Sequence, residues 1–548
     1  MATFFLLALK ATQYFRFENS DDILLVKAFM GYEGGVPAGF SLYVHTLLAR
    51  PLQGLSLLFP GIAWFSWLQM AFLWISAAVL CSSMLACSAK YMPLPAGLLL
   101  AACFLAAFAV FPACRINYTT TASLLGAAAV AQLLTVRFDE TRHGKVLLAA
   151  LPSIGLLACC YALRWPSALP ALVFWLLALW LRGRWTSIWR VLALAALVFA
   201  VLAGGRALEI RLLNQEAYAD WNDARTRLMD YNEQAFDLAG DAELESIGWS
   251  RAELELVREW YFMDENITAE ALTKLADVHQ NAEPPGSAWR AALPNLAGFY
   301  AQNPAYGLAM GLLAILCLCG ALPATFDGEM NSRKRLAAIL APAVALALQA
   351  YLATQGRILS RAIDAVLFPC AAFLFCLLPG APRLHKQPKP LAALLALLLA
   401  GVGLAGARFL TIRKQLQARP DTISPTRQAA LEAYGLEHPD RLILYGPNLL
   451  RDTRLFPDVS QGIPANLMIW GDWYCRTPSW YGQLARFGVD GASFTAACFP
   501  RNNLLLAVAA DEPPGAFLTY LEEGAGAYAY RLADQRGDIR FFAFWAEE

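Results

Sequence analysis

Two adjacent carboxylates, Asp21 and Asp22, follow directly on an apolar stretch in the run Glu18-Asn19-Ser20-Asp21-Asp22, and Gly31-Tyr32-Glu33-Gly34-Gly35-Val36-Pro37 comes soon after. Holding two acids close to hydrocarbon is expensive, so carboxylates at such a depth are more often functional than decorative. Neighbouring like charges also raise one pKa, which supplies a proton acceptor. The competing explanation is that the pair caps a helix starting at Ile23, where carboxylates favour the positive end of the dipole. Capping needs one acid, not two. Other strings carry less. Gly401-Val402-Gly403-Leu404-Ala405-Gly406 spells a dinucleotide fingerprint but lies inside an apolar run with no strand before it, so close helix packing explains the glycines better. The five histidines, His45, His143, His279, His385 and His438, are isolated from one another and from the cysteines, so no zinc spacing exists. There is no phosphate-binding loop and no nucleophile elbow. Asn117-Tyr118-Thr119 and Asn266-Ile267-Thr268 fit the glycosylation acceptor pattern, which a chain of this length produces by chance.

The elements that must hold the acidic pair are set by composition. Of 548 residues, 58% are hydrophobic and 16% charged, with a mean hydropathy of +0.44. Ordinary soluble domains carry about 25% charged residues, so a soluble globular enzyme is excluded. The 43 Lys and Arg balance 43 Asp and Glu, which leaves no positive field for nucleic acid. Apolar runs long enough to span a bilayer lie near residues 62–86, 94–114, 119–136, 146–163, 167–181, 190–208, 299–322, 336–354, 362–379 and 390–410. The start, Met1 to Phe15, is shorter and contains Lys10; it reads either as an interfacial stub or as the end of a helix that begins earlier.

Basic residues sort the connections by side. Arg137, Arg142 and Lys145, then Arg182, Arg184 and Arg190, then Arg333, Lys334 and Arg335, then Arg383, Lys386 and Lys389 mark inner loops. The turns at Arg115 and Arg164, the segments 16–60 and 209–297, and the tail from about residue 412 then face outward. The expected architecture is an α-helical polytopic membrane protein of about 10–11 transmembrane helices. Residues 1–411 form its membrane domain, 209–297 an extracytoplasmic helical loop, and 412–548 a small extracytoplasmic C-terminal α/β domain. In the loop, Ser250 and Glu253 form a capping box ahead of Leu254 to Phe262, Thr268 caps a second helix through Ala276, and Pro284-Pro285-Gly286 closes it. An insertion of this length exceeds what a connection needs. In the tail, Leu442 to Tyr445, Leu504 to Ala509 and Ile539 to Phe544 read as strands, and Ser424 to Tyr434 and Pro514 to Glu523 as helices. Cys475 and Cys498, outward on this reading, are either a disulfide or two free thiols.

An acidic pair in the first outward loop, followed by surface helices and a long series of spans, resembles the GT-C superfamily of membrane glycosyltransferases, in particular a bacterial branch whose first loop reads Asn-Asp-Asp followed by a glycine- and proline-bearing turn. The matching letters are Ser20-Asp21-Asp22, with the Asn displaced to Asn19, then Gly31 to Pro37, and Pro60 with Trp64. Further similarity lies in Tyr231-Asn232-Glu233, Trp260-Tyr261-Phe262-Met263-Asp264, Gly356-Arg357 with Arg361, and Trp470-Gly471-Asp472-Trp473 with Arg476-Thr477-Pro478. The motifs are loose, though they run along nearly the whole chain.

The resemblance implies a cell-membrane enzyme that moves a hexosyl or pentosyl group from a polyprenyl-phosphate donor to an envelope glycan, lipid or protein outside the membrane. Asp21 or Asp22 would then be the general base on the acceptor hydroxyl, or would orient it. The leaving lipid phosphate gathers charge, which a cation at the outer surface would stabilise. Arg357 and Arg361, four apart in an outward turn otherwise poor in basic residues, suit that task through their paired guanidinium donors, and Arg164, before Trp165 and Pro166, is a third candidate. The alternative for Arg357 and Arg361 is that they bind outer lipid headgroups or pair with Asp364. No cofactor is implied with certainty; a divalent metal is left open, with no ligand set beyond the acidic pair. The tail's Trp470, Trp473, Tyr474, Trp480 and Tyr481 suit either sugar stacking or an aromatic core. Two other classes compete: a transporter or flippase of a lipid-linked saccharide, which would favour ionisable or broken elements near mid-membrane, and a noncatalytic envelope scaffold.

Overall fold

The first nine apolar runs all fold as helices: Trp64–Ser88, Leu94–Phe104 (continued through a π turn at Leu105–Ala109 into Val110–Cys114), Tyr118–Thr135, His143–Leu163, Trp165–Arg182, Trp185–Leu212, Pro304–Ala321, Met330–Thr354 and Ser360–Leu377. The computed structural model describes residues 2–3, 7, 15–18, 20–32, 34–89, 93–136, 138, 143–182, 185–282, 286–321, 330–355, 358–377, 396, 400–401, 403–404, 406–407, 410, 426–449, 453–501, 503–511, 515–526 and 528–546. Among these, six helices are long and apolar enough to cross a membrane, and Leu94–Ala109 and Pro304–Cys317 are apolar but shorter. Most of 390–410, and most of the stretch from Met1 to Phe15, lies outside the described residues.

Tyr118–Thr135 and Ser360–Leu377 form the centre, each buried along most of its length. The first can be central because it is rich in Ala, Gly, Ser and Thr, which let neighbours approach closely. A Cβ on Gly126 would stand 2.5 Å from the Ala171 Cβ. Polar links tie the next layer to it: Ser153 Oγ donates to Ala129 O at 2.7 Å, and Trp175 Nε1 to Ser153 Oγ at 2.7 Å. Of the glycine run only Gly401 is closely packed, a Cβ there meeting the Cys103 Sγ at 2.4 Å; a Cβ at Gly403 or Gly406 would meet nothing within 4 Å.

The first loop, the insertion and the tail gather at one end of this bundle. Arg16–Phe17 pairs in parallel with Arg115–Ile116, and helix Ser20–Met30 follows. Helix Thr46–Leu58 is N-capped by the His45 side chain and exposes Leu47, Leu57 and Leu58, with Phe59 exposed just after it. In the insertion the Ser250 and Glu253 capping box forms at the start of Arg251–Arg258, and Thr268 Oγ1 accepts from Ala271 N at 3.1 Å at the start of Ala269–Ala282.

The tail is a five-stranded sheet in the order Leu467–Ile469, Leu442–Tyr445, Leu504–Ala509, Ile539–Ala546, Tyr528–Arg536; the first three run parallel and the last two antiparallel. Helices Thr426–Glu437, Pro478–Arg486 and Gly515–Gly524 accompany it. Strands Leu467–Ile469 and Tyr528–Arg536 were not expected: one is three residues long, and the other is an edge strand with Arg, Asp and Gln along it. Cys475 and Cys498 are buried and not joined as a disulfide; their thiols donate to Gly471 O at 3.4 Å and Ser493 O at 3.8 Å. Trp470, Trp473, Tyr474 and Trp480 are buried, so much of the aromatic cluster is core.

The first loop, the insertion and the tail interlock, largely through backbone. Tyr261 and Gly471 form an antiparallel bridge, and Phe262 N donates to Trp470 O at 3.0 Å. Only glycine fits at 471, since a Cβ would lie 1.6 Å from Trp260 O. Phe17 N donates to Thr453 O at 2.8 Å, Ser66 Oγ to Leu455 O at 2.5 Å, and Lys27 Nζ pairs with Glu432 at 3.1 Å.

Candidate active site

The N-terminus of the central helix Tyr118–Thr135 is the anchor of the site. Asn117 caps it, accepting from Thr119 N at 2.8 Å. The first-loop helix Ser20–Met30 presents its own first turn, with Asp21 and Asp22, to the same place.

The two acids differ in surroundings. Asp22 is fully buried and accepts from Gln69 Nε2 at 2.9 Å, Asn117 Nδ2 at 3.0 Å and Tyr118 N at 2.9 Å. Both its oxygens are engaged, and the Tyr118 amide is a free donor of a helix start. Burial pushes its carboxyl up, against the hydrogen bonds from Gln69 and Tyr118. Asp22 therefore fastens the first loop to two helices of the bundle. Asn117 is wholly buried in this contact, which removes it as a glycosylation acceptor in the folded protein. Asp21 is 25% exposed, and its Oδ2 faces Arg361 Nη1 at 3.8 Å. Arg361 thus meets the first loop, while Asp364, fully buried one turn further along, accepts from Tyr306 Oη at 3.0 Å.

Arg164 sits over the rings of Tyr43 and Tyr118, at 4.9 and 5.2 Å from their centroids, and its buried Nε has no hydrogen-bond partner among the described residues. Tyr118 is the hub: its amide donates to Asp22, its ring lies under Arg164, and the adjacent Asp21 faces Arg361. Four of the five residues singled out in the sequence, Asp21, Asp22, Arg164 and Arg361, are thereby brought together; Arg357 lies outside the described residues.

Two further carboxyls and one arginine join them. Glu18 follows the short strand Arg16–Phe17; burial raises its carboxyl to about 7 against the lowering influence of Arg361 and Arg115. Its Oε2 is buried with no hydrogen-bond partner among the described residues. Asp472, from the tail, has a left-handed backbone (φ 66°) and accepts from Trp473 N at 2.7 Å. Burial and the charge of Asp21 raise its carboxyl to about 7, with Arg225 opposing. Arg225, 3% exposed, donates to Tyr43 Oη at 3.0 Å and Asn222 Oδ1 at 3.1 Å. Trp473 closes the group edge-on to Tyr43, its centroid 5.3 Å away. The sequence offered Glu18 as a third acid in the same run and Asp472 inside Trp470-Gly471-Asp472-Trp473, but no signal that the two would meet.

The other matching motifs have separate fates. Asp264 supports the tail: its backbone O accepts from Arg476 Nη2 at 2.7 Å and its carboxylate from the Tyr520 hydroxyl. Tyr231 is exposed, and Asn232 Nδ2 donates to Arg227 O at 2.8 Å in a local turn. Among the described residues no group of three or more His, Cys, Asp or Glu could hold a metal ion.

No protein-family model matches the sequence, and no curated protein matches it either. Two solved structures are similar: ArnT from Cupriavidus metallidurans bound to undecaprenyl phosphate, with a TM-score of 0.38, and the same protein in the apo state, with 0.40. Each is 12% identical to this chain; 98% of this chain is covered in both, against 97% and 96% of the other. Scores this low fix neither a family nor the role of any residue, so the roles below rest on the geometry just described.

Proposed function

We propose that the protein is an integral-membrane glycosyltransferase that moves a sugar from a polyprenyl-phosphate donor to an extracytoplasmic envelope acceptor. The observation that carries this reading is the approach of a partly exposed carboxylate, Asp21, to Arg361 at 3.8 Å, beside an arginine held between two tyrosines. A base with two cations nearby to bind an anion is what an inverting displacement on a phosphate-linked sugar needs.

In the reaction Asp21 takes the proton of the acceptor hydroxyl as its oxygen bonds to the anomeric carbon. The bond from that carbon to the phosphate oxygen breaks, and the electron pair leaves with the polyprenyl phosphate. Arg361 and Arg164 stabilise the charge gathering on that phosphate, with Arg357 assigned the same task by its spacing from Arg361. Asp22 positions Asp21 by holding its helix against Gln69 and Asn117. The test is envelope glycan and lipid profiling of a deletion strain complemented with wild type or Asp21→Asn. Restoration by wild type and not by Asp21→Asn, at equal expression, is expected. Full restoration by Asp21→Asn removes the assignment of the base.

A further inference from the structure

A cavity of about 440 Å³ lies between the first loop and the tail and shares Trp473 with the acidic cluster. That size falls in the range of about 300–1,000 Å³ usual for small-molecule sites, which favour boundaries between domains. One wall is apolar, with Phe29 and Val36 from the first loop. The tail side brings Trp473 and Tyr474 with the neutral Ser479 and Gln483, and the first loop adds Gln53 beside one charged residue, Arg50.

Gln483 is the telling member. It is fully buried, and its Nε2 is committed to Leu467 O at 2.8 Å and Ala465 O at 3.2 Å. Its Oε1 has no partner among the described residues. A buried amide oxygen left without a donor is costly, and a hydroxyl arriving in the cavity would relieve it. Gln53 is held ready on the other side, donating from Nε2 to Pro37 O at 2.9 Å and accepting from Arg50 at 3.2 Å. Aromatic faces with neutral amides and hydroxyls match the alternating apolar faces and hydroxyl edges of a sugar ring. They match a polyprenyl tail poorly, and of the lining only Leu213 adjoins a membrane-length helix.

We propose that this cavity is a binding site for a neutral saccharide; on the transferase reading, on which only this naming rests, that saccharide belongs to the acceptor. Gly482 lines the cavity from helix Pro478–Arg486, and a Cβ there would meet nothing within 4 Å, so Gly482→Trp fills the space without disturbing the backbone. The experiment measures binding of fluorescently labelled maltose and chitobiose to the full chain in sugar-free nanodiscs. At least one disaccharide is expected to bind wild type saturably, with affinity reduced at least tenfold in Gly482→Trp; Gln53→Ala is the second variant should the first fail to fold. Absence of binding by both disaccharides to wild type, or unchanged affinity in the folded variants, overturns the proposal. Binding lost in Gly482→Trp, together with full complementation by Asp21→Asn, would sustain the cavity and sink the assignment of the base.

Discussion

At the scale of single residues, neighbours in sequence have become unlike in chemistry. Asp22 is saturated by Gln69, Asn117 and the Tyr118 amide, while Asp21 looks toward Arg361. Replacing Asp22 with Ala leaves three donors unmet, and buried unmet groups cost about 1–3 kcal/mol each. We therefore expect Asp22→Ala to lower the thermal midpoint clearly while Asp21→Asn leaves it near wild type; equal midpoints would contradict the positioning role. Loss of a general base reduces rate by about 10²–10⁴-fold, and Asp21→Asn is predicted to fall in that range in a transfer assay. Glu18 and Asp472, both raised to about 7 by burial, give a pH signature. Because the folded state holds these protons longer than the unfolded chain does, their contribution is fully present below about pH 4 and is lost as the pH rises through about 7. The thermal midpoint should fall between about pH 4 and pH 7, and the double variant Glu18→Gln, Asp472→Asn should flatten that fall. An undiminished slope in the variant would show other groups responsible.

Elements explain why those residues meet. The capping box at Ser250, the cap at Thr268 and three tail strands could be read from spacing alone, because caps and alternating apolar runs are local. The bridge between Tyr261 and Gly471 could not, since it joins segments about two hundred residues apart whose letters show only a run of aromatics. That bridge delivers Asp472 to the first loop. Gly471→Ala forces a Cβ into Trp260 O and should separate insertion from tail, which limited proteolysis would detect as a new cleavage near residue 260. Wild-type protection in Gly471→Ala would mean that the two parts are held together by other contacts. A comparable limit applies to the spans. Tyr118–Thr135 is among the least conspicuously apolar of them, yet it is buried along most of its length because its small residues admit neighbours on every side.

For the whole molecule, basic inner loops and an acidic, aromatic outer assembly predict an orientation with residues 16–60, 209–297 and the tail outside. An alkaline phosphatase fusion at residue 548 should be active; a stable but inactive fusion would place the site on the inner side and overturn the proposed acceptor class. The sequence by itself determined the helical, span-rich architecture, the existence of two polar parts outside the apolar helices and four of the groups gathered at the candidate site. Those follow from hydropathy, charge bias and local spacing, which act over a few turns of chain. Only the tertiary structure decided which aspartate is fastened and which faces a cation, and that Glu18 and Asp472 join them. It also opened a cavity beside Trp473. Each of these depends on desolvation and on contacts between distant segments, and neither quantity is a property of any local stretch of sequence.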